Sequence, residues 1–148
     1  MPGLRRLCVG GASVLTLMVA AGAASVSAQS SVELVDSVMA ALAESEPGRI
    51  TPLLDDRVRL SVEGVEHDGV TPRQATAELE RFLGAFEASK PTTVRSGGQP
   101  DETRAFAELS WNLLSVRTEE VHPFVVFLGL ELRGQRWLIN EIRILRQV

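Results

Sequence analysis

Reactive side chains are scarce in this 148-residue chain: cysteine occurs once, histidine twice and tyrosine not at all. The lone cysteine, Cys8, lies in an apolar N-terminal segment, ahead of its greasy centre. That is the wrong side for bacterial lipoprotein anchoring, where the modified thiol follows the apolar stretch. With that segment removed, the chain carries no thiol, which excludes disulfides, a cysteine nucleophile and any cysteine-based metal site. Lysine is nearly absent too (Lys90 alone), and 15 basic side chains face 19 acidic ones for a formal charge of -4. A mildly acidic chain with no basic cluster and 5% aromatic residues is not built to hold nucleic acid. Gly-x-Ser-x-Gly, a phosphate-cradling glycine loop, His-Glu-x-x-His and paired catalytic acids are all missing, so no cofactor or metal is expected.

What is present begins with an export signal. Arg5-Arg6 precede a run from Leu7 to Val32 without a charge, with an apolar centre around Val14, Leu15, Leu17 and Met18. It closes on Val26-Ser27-Ala28, a small-x-small ending that suits signal peptidase. Residues 1–28 are therefore expected to be a signal peptide cut after Ala28. Residues 29–148 then form one domain in the periplasm or outside the cell, touching the membrane only through the export signal. About 120 residues suffice to bury a core that holds without disulfides.

Ser30-Ser31-Val32-Glu33 has the spacing of a capping box, and Val35, Val38, Met39 and Leu42 follow at helical intervals up to Pro47-Gly48. A turn of helix is expected over 51–54. Arg57 to Val62 alternates, placing Val58, Leu60 and Val62 on one face of a strand. In Val65-Glu66-His67-Asp68-Gly69-Val70, the adjacent histidine and aspartate raise the question of a catalytic pair. Neighbours on an extended chain point to opposite faces, and Asp-Gly is a turn dipeptide, so a surface bend between strand and helix is the expected reading. Thr71-Pro72-Arg73-Gln74 is a second cap, opening a helix striped by Ala75, Leu79, Phe82, Leu83 and Phe86. Strands are expected over 92–95, 103–116, 124–133 and 137–146. Helices first and a sequential antiparallel sheet afterwards is an α+β order.

In the first long strand Ala105, Ala107, Leu109, Trp111 and Leu113 keep one face apolar, while Glu108, Ser110 and Asn112 occupy the other. The next, from Phe124 to Leu130, is apolar at both sets of positions. An antiparallel sheet commonly leaves one face to water, so Val125 and Phe127 call for a second cover, and a partner subunit is the simplest. A homodimer through the sheet is thus expected. Among polar residues, Asn140 stands out because Leu138, Ile142 and Ile144 share its side under strict alternation. If that side meets the helices, its amide orients a small ligand in an apolar pocket. His122, at the start of the doubly apolar strand, is the second candidate ligand-binding residue. As a zinc ligand it lacks partners.

The order helix, short helix, strand, helix, long strands, with Leu54-Asp55-Asp56-Arg57-Val58-Arg59-Leu60 and the ending Gly134-Gln135-Arg136-Trp137-Leu138-Ile139-Asn140-Glu141-Ile142-Arg143-Ile144, resembles the nuclear transport factor 2-like superfamily. Within it the resemblance points to a small exported bacterial family of unknown function. It implies N-terminal helices packed on a curved antiparallel sheet, forming a cone. Such a fold hosts isomerases, dehydratases, cyclases and non-catalytic members, so it does not settle an activity. The isomerase-like members use a tyrosine and a protonated acid against an oxyanion, and this chain has no tyrosine. Where their base would be sought, Glu63 is the only acid, and alternation turns it away from Val58, Leu60 and Val62. The expectation is a non-catalytic module that binds a small apolar molecule or another protein, with a cone-pocket enzyme of the isomerase, dehydratase or cyclase kind as the alternative.

Overall fold

The computed structural model describes residues 30–98 and 102–148. The export segment, its cleavage bond and Cys8 lie outside the described residues. Helix α1 (Ser31–Ala43) opens on the expected capping box: the Glu33 amide donates to Ser30 Oγ at 3.1 Å and the Ser30 amide to Glu33 Oε2 at 3.4 Å. It buries Leu34, Val35, Val38, Ala41 and Leu42. Two 3₁₀ turns, Pro47–Arg49 and Thr51–Leu53, lead into strand β1 (Leu54–Val62). The second capping box also forms. The Gln74 amide donates to Thr71 Oγ1 at 3.3 Å, the Thr71 amide donates to Gln74 Oε1 at 3.0 Å, and α2 runs Pro72–Leu83.

Between β1 and α2 the chain departs from expectation. It turns at Glu63-Gly64, not at Asp68-Gly69, and β2 (Val65–Val70) pairs antiparallel with β1. Glu63 and Gly64 have φ of 49° and 85°. Positive φ at both central residues is what a two-residue hairpin needs to match strand twist. Asp68-Gly69 lies inside β2, where Val58 faces Val70 and Leu60 faces His67. Two β2 residues thus oppose one of β1, and Gly69 at φ 68° carries the bulge. The turn chemistry of Asp-Gly was legible, but it shapes a bulge and the histidine sits in a strand.

Strands β3 (Thr92–Gly97), β4 (Arg104–Leu114), β5 (Val121–Arg133) and β6 (Arg136–Arg146) form the expected antiparallel meander. The full sheet is mixed: β1 joins it beside β6 and parallel to it, giving the order β2-β1-β6-β5-β4-β3. The helices cover one face. There Leu34, Val38, Leu79 and Leu83 pack on Leu60, Leu109, Trp111, Phe124, Leu128 and Ile142 in a single apolar cluster. Trp111 is wholly buried, and its indole N–H donates to the Ser89 carbonyl at 2.7 Å, tying the connection after α2 to the sheet. Burying each such aliphatic chain contributes about 1.5–3 kcal/mol. Among the described residues no helix is long and apolar enough to cross a membrane.

The last strand carries a second bulge. Leu130 faces Ile139 while Gly129 faces Glu141, so Asn140 is the extra residue. Strict alternation would have put Leu138 and Asn140 beside Ile142 and Ile144. The bulge instead brings Ile139, Ile142 and Ile144 to the helices. On the far face, the Phe127 ring stacks on Phe106 at 6.1 Å and 14°, under the Arg143 guanidinium at 5.7 Å. Part of the cover expected for Phe127 therefore comes from its own chain.

Candidate ligand groove at one end of the sheet

Register decides which way the two histidines point. Directly opposed residues of an antiparallel pair project to the same face. His67 is opposite Leu60 and His122 opposite Leu113, and both leucines are fully buried on the helix side. Both imidazoles therefore face the helices, at the end of the sheet where α2 stops. Each is half-buried, and both line one groove of about 1100 Å³.

Four elements wall this groove. The β1–β2 hairpin contributes Val62, Glu63, Val65 and His67; the last turns of α2 and the residues after it contribute Glu78, Arg81, Phe82 and Phe86. The β4–β5 hairpin adds Ser115, Val116, Arg117, Glu120 and His122, and β6 adds Arg146. Phe86 is held by the backbone: it bridges to Ser115, the Glu87 amide donates to the Leu114 carbonyl at 2.9 Å and the Val116 amide to the Ala85 carbonyl at 3.1 Å. Its ring stands 5.1 Å from Phe82, 5.4 Å from Phe124 and 6.3 Å from His122, the last two edge-on. Edge-on and tilted pairs are the favoured aromatic arrangements, so the floor is a fixed cluster.

Charge rings this floor. Glu63 reaches Arg146 at 2.9 Å, and the Arg146 guanidinium lies 5.4 Å from the Phe124 centroid. Glu63 thus lies at the groove edge, not turned away: it occupies a left-handed turn position, where strand alternation does not apply. Glu78 and Arg81 stand 3.7 Å apart on α2. Among the described residues neither imidazole has a hydrogen-bond or ion-pair partner, and no three histidine, cysteine or acidic side chains gather as a metal site.

Asn140 does not line this groove. Its side-chain amide donates to Glu131 Oε2 at 3.1 Å, and it borders a shallow trough on the opposite face with Arg57, Phe127 and Gly129. There Glu131 stands 3.7 Å from Arg133, whose Nε donates to buried Asp55 at 2.9 Å. This clamp ties the start of β1 to the β5–β6 hairpin. Of the two adjacent acids, Asp55 is buried in this clamp while Asp56 is exposed. The groove histidine that sequence reasoning missed, His67, had one available signal: Glu63-Gly64 between Val62 and Val65 is a hairpin pattern that competes with Asp68-Gly69.

Two helices laid on one face of an open, six-stranded mixed sheet, with a groove at the end of α2, make the nuclear transport factor 2-like fold. Solved structures similar to this chain include a DUF4783 family protein from Bacteroides ovatus, 20% identical over 76% of this chain and 94% of that one, with a TM-score of 0.63. Another, from Bacteroides uniformis, is 17% identical over 76% and 96%, with a TM-score of 0.65. A protein with a ketosteroid isomerase-like fold from Catenulispora acidiphila, solved in complex with trimethylamine, is 16% identical over 76% and 83%, with a TM-score of 0.59. At these identities the likeness establishes the fold. No protein-family model matches the sequence, and no curated protein does.

Proposed function

We propose that this is an exported binding module whose groove takes up a small, largely apolar molecule, and that the far face of the sheet pairs two copies. The groove carries the first part: a volume of about 1100 Å³, within reach of a drug-sized ligand, over a fixed Phe82-Phe86 floor. A protein of the same fold was solved with a small molecule, trimethylamine, which fits the idea of a ligand-holding scaffold. For an enzyme of the cone-pocket kind the candidate pocket residues are Asn140 and, secondarily, His122. They lie on opposite faces of the sheet, which favours binding over acid–base chemistry.

The test is mass spectrometry of protein purified without denaturation, together with thermal shifts across a panel of small apolar compounds. Co-purifying small molecules, or shifts that Phe86→Glu abolishes, support the groove. Repeated absence of both would leave a protein-binding role in its place.

A further inference from the structure

The strand register gives the groove a length. Val65, on β2, is opposite Val62, which lies beside Ile144 of β6 and through it level with Val126 of β5. Val116 follows β4 beyond Leu114, and Leu114 is opposite Val121, five residues away from Val126 along β5. From Val65 to Val116 is therefore four strand spacings across the sheet, β2-β1-β6-β5-β4, and at least five residues along it. At about 4.8 Å per strand and about 3.4 Å per residue, these offsets are about 19 Å and about 17 Å. Both valines nevertheless line the same groove, one at each end, and they are 59% and 60% exposed. An apolar track joins them. Val62 continues it from Val65, while Phe86 is bridged to Ser115, next to Val116, and stands 5.1 Å from Phe82.

We propose that the groove's ligand is a single extended hydrocarbon chain, of the acyl or fatty-alcohol type, lying along this track from the β1–β2 hairpin to the β4–β5 hairpin. This rests on the groove being the binding site, as proposed above. A compact ring system seated on Phe82 and Phe86 would leave the valine at one end or at both in water. A chain covers the two ends at once, and every methylene laid on the track removes further apolar surface from water. Holding a flexible chain straight costs conformational freedom at each bond, so the gain per methylene stays below that of full burial. Among the charged groups of the lining, Glu63 is paired with Arg146 and Glu78 with Arg81, so length, not headgroup charge, is the property this geometry selects.

The test uses the full chain and a series of uncharged probes, hexyl, octyl, decyl and dodecyl maltoside, each below its micelle concentration. The sugar is constant, so differences in affinity measured by calorimetry belong to the chain. Full burial of a methylene gives about fourfold in affinity, and partial burial about twofold. The expected result is a gain that persists through dodecyl, amounting to about tenfold or more between octyl and dodecyl. Val65→Glu and Val116→Glu then place a charge at either end, at exposed positions that the fold tolerates. Both should weaken dodecyl maltoside severalfold, whereas hexyl maltoside, too short to span the track, should respond to one at most. A series that levels off at octyl, or a dodecyl affinity insensitive to either end variant, overturns the extended chain while octyl binding leaves the groove standing. If no probe binds, or binding survives Phe86→Glu, the groove itself is the wrong site and the proposal falls with it. The length series is read on the parent protein, so a variant that fails to fold does not shelter the proposal.

Discussion

Gly64 stands at φ 85° with open space around the position where a Cβ would be. Gly64→Ala therefore tests backbone cost without steric interference. It should destabilise the fold by about 1 kcal/mol, read as a lower urea midpoint with an unchanged slope. The caps allow a second residue-scale test. Ser30→Ala and Thr71→Ala each remove a side-chain acceptor from an exposed helix N-terminus, and each should cost about 1 kcal/mol. The two should add, because the caps share no partner. Both capping boxes were legible in advance because every atom they use lies within four consecutive residues. The hairpin turn was not, because Asp68-Gly69 presents stronger turn chemistry than Glu63-Gly64. Only pairing with β1 shows that the first becomes a bulge and the second the turn.

Elements show the same division between near and far. The alternation of Ala107, Leu109, Trp111 and Leu113 identified β4 and its buried face, since period-two patterning is intrinsic to a half-buried strand. β6 carries a comparable pattern, yet its faces exchange partway along, because Asn140 is looped out opposite Gly129. That bulge depends on the neighbour: a Cβ on residue 129 would stand 3.0 Å from Asn140 Oδ1 and from Glu141 Cβ. Nothing in the β6 sequence alone announces it. For α2, Leu79 is the buried centre of the stripe that meets the sheet, and Leu79→Ala should cost about 2–5 kcal/mol in denaturant unfolding. Glu80→Ala, on the exposed side of the same helix, should stay within about 0.5 kcal/mol.

At the scale of the whole molecule, the doubly apolar β5 and the stacked Phe106-Phe127 pair define the far face, with Arg95 and Arg143 flanking the two rings. If two copies pair there, Phe127→Glu should shift the sedimentation coefficient from dimer to monomer while far-ultraviolet circular dichroism is kept. Parent and variant sedimenting as one monomeric species would remove the dimer. The fold class could be anticipated from element order, but the groove could not, since it assembles from hairpins some fifty residues apart whose facing depends on register. One further property follows from β1 lying parallel to β6. Leu60 is set beside Ile142 only after the intervening chain has been threaded into place, so the architecture is dominated by distant pairings. Closing so long a loop is entropically slow, and refolding should take milliseconds to seconds, not microseconds. The wall bearing His67 joins the rest of the sheet through that late junction, so ligand uptake should lag behind collapse in stopped-flow refolding.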